Sequence, residues 1–302
     1  MKKENKIVVG IDFNELSILA FEHTIDLAKF LKAEIILVHS IESGYFSRLF
    51  DLKGVEMKKI REEANTRLKE LCEKYTKSGV TVSYRIKEGK PYENILKVTG
   101  EEKARLIIVG KNGRLVKGEE KLLGSNARHI IGEAKTPVIS ITGQEKLIGF
   151  KDIVVPLDLT QQTRAQVFNA ISFGLHYNAT IHLVSALVAG ISARKSRIYP
   201  KLRKAQKTIE ENGVNSTIKL FKKSATPPYE AVLNYAHELN ADLIMLMTHE
   251  ETRGDNYIGA FAQQIIQKSD IPVLSLTSEA VKDEDQALVD GFVDPFGIIT
   301  RK

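Results

Sequence analysis

The sequence predicts an α/β protein made of two tandem copies of one doubly wound domain, each with a five-stranded parallel sheet, the copies packed as a pseudo-dimer. Three observations carry this expectation. Short β-branched runs alternate with longer stretches of helical period, which is the rhythm of βαβ units. The same order of elements occurs twice. The strand-like runs are apolar throughout rather than alternating, as befits strands covered by helices on both faces.

The first copy opens with the strand KIVVGI from Lys6, after which Leu16, Leu19, Ala20, His23, Leu27 and Leu31 recur at helical spacing, and EIILVHS from Glu34 forms the second strand. A helix near 54–78, the strand TVSYRI from Thr81, a helix from Pro91 to about Glu102, the strand RLIIVG from Arg105, a helix from about Ser125 and the strand PVISIT from Pro137 complete it. Proline at the head of the third helix and of the last strand sits where a missing N–H does no harm. In the second copy the order is DIVVPLD from Asp152, a helix near 161–176, TIHLVSA from Thr180, a basic helix, STIKLF from Ser216, the helical PPYEAVLNYAHELN from Pro227, DLIMLMT from Asp242, a helix near 258–268 and IPVLSLT from Ile271.

Three anchors fix the register of the repeat: Asp12 pairs with Asp158, PYENIL from Pro91 with PYEAVL from Pro228, and Gly124 with Gly259. The offsets of 146, 137 and 135 residues differ by loop-length changes that surface connections tolerate. The domains are therefore 1–145 and 146–278, joined without a long flexible linker, with an acidic tail over 279–302 outside the repeat. In that tail Glu279, Asp283, Glu284, Asp285, Asp290 and Asp294 accompany Phe292, Phe296 and Ile298, a pattern suited equally to docking on the chain itself or on a neighbour and to a frayed terminus.

Composition excludes several classes. At 43% hydrophobic and 27% charged, the chain can bury a core in each copy. Without an apolar run of 18 residues or a signal-peptide pattern, it reads as cytoplasmic, with no membrane partner. The single cysteine, Cys72, rules out an internal disulfide framework and a cysteine-based zinc site. The net charge of +6 lies in the first half: residues 1–143 carry 26 Lys/Arg against 20 Asp/Glu, and the remainder 18 against 18. The seven histidines, at 23, 39, 129, 176, 182, 237 and 249, show no metal-ligand spacing and read as structural or exposed, with His39 near the expected ligand crevice. RKSRIYPKLRKAQK at 194–207 packs seven cations into 14 residues. Only one aromatic interleaves them, so a solvated helix face is the better reading than a nucleic-acid site.

The motif with chemical content follows the fourth strand: Gly110-Lys111-Asn112-Gly113, a ten-residue basic loop, then Gly124-Ser125-Asn126 opening a helix. Glycines directly after a strand let a ligand approach the backbone, because no Cβ intervenes. Free N–H groups at a helix start receive phosphate oxygens and add the favourable end of the helix dipole. Ligands of doubly wound sheets bind beyond the carboxyl strand ends where the strand order reverses, so adjacency of strands one and four would bring Asp12 to the same pocket.

This arrangement resembles the universal stress protein family, whose Rossmann-like domains carry a G-x2-G-x9-G-[ST] loop after strand four in the ATP-binding branch. The resemblance covers both copies. It implies a stress-response protein that binds an adenine nucleotide, ATP with or without Mg²⁺, and is not an enzyme. Asp12 and the backbone at Val38 would hold the adenosine part, Gly110 and Gly113 would border the ribose and phosphates, and Gly124, Ser125 and Asn126 would bind the phosphate chain. Here ten residues separate Gly113 from Gly124 where the family pattern has nine. In the second copy Met247 stands for Gly110, Glu250 for Gly113, and Gly259-Ala260 for Gly124-Ser125, which implies a lost site. A rival reading, a tandem structural or signalling module that binds no nucleotide, has the altered loop spacing in its favour. Whether the tandem chains pair further as homodimers stays open.

Overall fold

The computed structural model describes residues 5–42, 53–75, 78–111, 123–143, 147, 149–157, 163–186, 198–221, 226–248 and 258–277. The first half runs β1 (Asn5–Gly10), α1 (Glu15–Leu31), β2 (Ala33–Ile41), α2 (Lys53–Tyr75), β3 (Val82–Glu88), α3 (Pro91–Glu101), β4 (Leu106–Gly110), α4 (Ser125–Glu133) and β5 (Val138–Ile141). The second runs β6 (Asp152–Pro156), α5 (Thr163–Tyr177), β7 (Thr180–Ala186), α6 (Ile198–Glu211), β8 (Ser216–Phe221), α7 (Pro228–Glu238), β9 (Leu243–Thr248), α8 (Ala260–Lys268) and β10 (Val273–Thr277). Each follows the order that the periodicity predicts.

Local chemistry sets the boundaries. Asn14 caps α1, its side chain accepting the Ser17 N–H at 2.7 Å, and the helix closes on Lys32 in the left-handed conformation at φ 50°. β1 ends at Gly10, two residues before Asp12, and Phe13 then takes a left-handed φ of 62° that turns the chain toward α1. Asp12 therefore sits in the turn after the strand rather than at its end.

All ten strands form one sheet in the order β3-β2-β1-β4-β5-β10-β9-β6-β7-β8. Within each half the pairs are parallel; the halves meet where β5 runs antiparallel to β10, with Leu274 opposite Ile139. The pseudo-dimer is thus a continuous sheet, and the apolar strand Val138–Ile141 is covered rather than left as an open edge. The true edges differ from the buried runs the sequence suggests: β3 is only half-buried, and β8 alternates between half-buried and exposed positions. An edge strand is paired on one side and covered less completely, so polar residues can point out from it.

The core is shared as well. One apolar layer joins Phe21, Leu27 and Leu37 of the first half to Phe173, Ile181 and Leu274 of the second through the connector residues Leu147 and Phe150, both buried. The ring of Phe30 on α1 stacks on Tyr177 of α5 at 4.8 Å, and Phe150 meets the same tyrosine edge-on at 4.9 Å. Burial drives the Tyr177 hydroxyl well above the ordinary tyrosine range. Cys72 lies half-buried on α2 against this layer, where desolvation pushes its thiol up. On α6, Leu202, Ala205, Gln206 and Ile209 face the protein while Lys201, Lys204 and Lys207 are exposed; the cations at 194–197 lie outside the described residues, as does the tail. Among the described residues no helix is long and apolar enough to cross a membrane.

Candidate functional site

In the first half β1 lies between β2 and β4, so the strand order reverses there, and a cleft of about 340 Å³ opens beyond the carboxyl ends of β1 and β4. Asp12, Val38, Gly110 and Asn126 all line it, together with His39 and the apolar side chain of Ile95. Four of the seven residues expected from sequence are therefore gathered in one place. Gly124 and Ser125 stand at the start of α4 but do not line the cleft, and Gly113 lies outside the described residues.

Gly110 closes β4. A Cβ built there would come no nearer than 3.8 Å to Leu16, an ordinary contact, and its φ is not left-handed. Neither packing nor backbone conformation demands glycine, so what the missing side chain leaves free is the approach from the cleft. Gly10 differs, since a Cβ there would stand 2.7 Å from the Ile95 side chain. That glycine serves the packing of α3 on the sheet.

Asp12 is exposed, and its carboxylate is held in a turn by Asn14, whose backbone N–H donates at 3.1 Å and whose side-chain amide donates at 2.7 Å. Two oxygens offer about four acceptor positions, so capacity toward the cleft remains. The Val38 carbonyl already accepts the Ile11 N–H at 2.9 Å. Beside it, His39 Nδ1 lies 2.8 Å from the Ile11 carbonyl; a carbonyl only accepts, so Nδ1 carries the proton and Nε2 is the ring's remaining polar atom. Phe13 packs 4.5 Å from that ring and is covered by the Arg67 guanidinium at 4.1 Å.

At the far wall α4 begins on Gly124 without a side-chain cap. The Gly124 N–H is not free: it donates to the Lys111 carbonyl at 2.9 Å. A helix leaves its first N–H groups without intrahelical partners, so those of the first turn, at Ser125, Asn126 and Ala127, are the donors available to an anion. Among the described residues lining the cleft the ionisable acids are Asp12 and Glu42, and no lysine or arginine joins them. No group of three or more metal-ligating side chains occurs among the described residues.

The second half shows what the sequence substitutions do. Met247, in the position of Gly110, is buried, and the next residue, Thr248, turns its hydroxyl to the Leu276 carbonyl at 3.1 Å. Buried Gln166 bridges the carbonyls of Pro156 and Met245, each at 3.0 Å. Asp158 and Glu250 lie outside the described residues. Lys111 is the position that sequence reasoning passed over: it is fully buried, and nothing in a G-x-x-G loop announces where its second residue points.

The sequence matches the model of the universal stress protein family over residues 4–141 and again over 149–276. A universal stress protein of Methanocaldococcus jannaschii is 30% identical over 147 residues, 47% of this chain and 84% of the relative, and a second from the same organism is 31% identical over 153 residues, 45% of this chain and 93% of the relative. The crystal structure of a universal stress protein from Archaeoglobus fulgidus superposes with a TM-score of 0.74 at 19% identity, covering 91% of this chain and 99% of that one, a likeness of fold. With both halves of its ten-stranded sheet matched in turn, the chain belongs to the universal stress protein family as a tandem two-domain member.

Proposed function

We propose that this protein binds one molecule of ATP in the cleft of its first half, as a nucleotide-binding stress-response protein rather than a catalyst. The observation that carries the reading is the convergence of Asp12, Val38, Gly110 and, from the first turn of α4, Asn126 and Ala127 on one cleft. Their chemistry matches the ligand end for end. Asp12 accepts hydrogen bonds from ribose hydroxyls or the adenine amino group, and the Val38 backbone borders the base. Gly110 lets the sugar-phosphate lie against bare backbone, and the N–H groups of the first α4 turn receive phosphate oxygens. Mg²⁺ enters with the phosphates, its usual mode at a nucleotide. In the second half Met247 fills the backbone approach, and that half serves as a packing partner. Calorimetric titration of ligand-free protein with ATP, with and without Mg²⁺, is expected to give a stoichiometry of one per chain. Two equal sites, or no heat, would refute the reading.

A further inference from the structure

Lys111 follows Gly110 directly, yet its side chain does not enter the cleft. It is fully buried, and its ammonium donates to the Ser269 carbonyl at 3.0 Å and the Ile271 carbonyl at 3.1 Å. Both acceptors belong to the second half. Ser269 is the C-cap of α8, so a cation from the first half sits where the last carbonyls and the negative end of that helix dipole need one. The receiving turn is locked from within: the Ser269 hydroxyl donates to the Ile271 carbonyl at 2.7 Å and accepts the Ile271 N–H at 3.0 Å. Burying an ammonium is costly unless its hydrogen bonds are met, so the lysine requires the turn in place, and the turn gains from the cation it receives.

The backbone of the same residue is equally engaged. Its N–H donates to the Ile141 carbonyl at the end of β5 at 2.8 Å, and its carbonyl accepts the Gly124 N–H that opens α4. Lys111 thus links three things: the strand end at the cleft, the helix start proposed to receive phosphate, and the α8–β10 turn of the other half. The link is one-way. In the second half the matching residue is Thr248, which bonds within its own half to Leu276.

We propose that Lys111 is a positioning residue through which the second half holds the carboxyl end of β4, at Gly110, and the start of α4 in their ligand-ready geometry. Occupancy of the cleft and tightness of the α8–β10 turn are then coupled, each strengthening the other. The inference rests on the nucleotide reading for the ligand, and on geometry alone for the tie.

Hydrogen exchange of the full chain, with and without ATP, tests both. In the wild type ATP should slow exchange across 269–273, a segment outside the cleft, by about threefold or more. In Lys111→Met, which keeps the length and removes the donors, ATP affinity should fall about tenfold and the protection should stay within the first half. ATP protection confined to the first half of the wild type would overturn the coupling. If the wild type takes up no ATP by calorimetry, the nucleotide reading fails, and the ligand-free comparison decides the tie: faster exchange at 123–127 and 269–273 in Lys111→Met upholds it, and unchanged exchange overturns it. Should Lys111→Met not fold, Lys111→Gln, which removes the charge but stays polar, takes its place, with faster exchange at 269–273 expected if the tie holds and wild-type exchange overturning it.

Discussion

Glycine serves two purposes in the first half, and the space around each residue separates them. At Gly10 an added Cβ would collide with Ile95, whereas at Gly110, which lines the cleft, it would meet only Leu16 at ordinary distance. Gly110→Met, which copies the residue of the second half, should therefore leave the fold unchanged while filling the approach to the backbone. We expect a melting temperature within about 2 °C of the wild type, as for changes that create neither cavity nor clash, and loss of ATP binding. Calorimetry and thermal melting measure the two effects separately. Undiminished affinity in the folded variant would place the ligand elsewhere.

At the scale of elements, Glu102 at the C-terminal end of α3 joins three of them. Its carboxylate lies 2.7 Å from Lys6 Nζ on β1 and 2.5 Å from Arg85 Nη2 on β3, and these two cations, Lys6 foremost, hold it below the usual carboxylate range. A carboxyl with a folded-state pKa below its unfolded value, about 4.3 for glutamate, adds stability above that value and loses it as the pH falls through the folded one. Glu102→Gln should then lower stability by about 1 kcal/mol at pH 7, the scale of partly exposed ion pairs. Urea denaturation should show that difference shrinking at about pH 3, well into the acid range of a glutamate. A difference that persists there would mean that the carboxylate charge is not what matters.

For the whole molecule, the antiparallel β5–β10 ladder and the shared apolar layer leave neither half a core of its own to lose separately. Scanning calorimetry should show one cooperative transition, and two resolved transitions would show that the halves unfold independently. Phe30→Ala removes the ring stacked on Tyr177 across the α1–α5 contact and should cost about 1 kcal/mol, the worth of an aromatic pair. Because the halves unfold together, the entire transition should move down in temperature rather than broaden. A variant melting at the wild-type temperature would make the aromatic contact incidental.

The sequence alone determined which elements form and in what order, because apolar periodicity and capping residues act over a few positions: β-branched runs became strands, Asn14 became a cap, and Pro91 and Pro228 opened helices. It also pointed to Gly110 and Asn126, since a glycine after a strand and a helix start near a strand end carry their chemistry locally, and these residues line one cleft with Asp12 and Val38, the latter pointed to only by the family resemblance. What only the tertiary structure decided depends on partners far along the chain. The adjacency of β1 and β4 makes the cleft, and the β5–β10 ladder turns two domains into one sheet. The burial of Lys111 follows from a turn some 160 residues away, so no local pattern of charge or spacing could single it out among the cations that follow β4 in sequence.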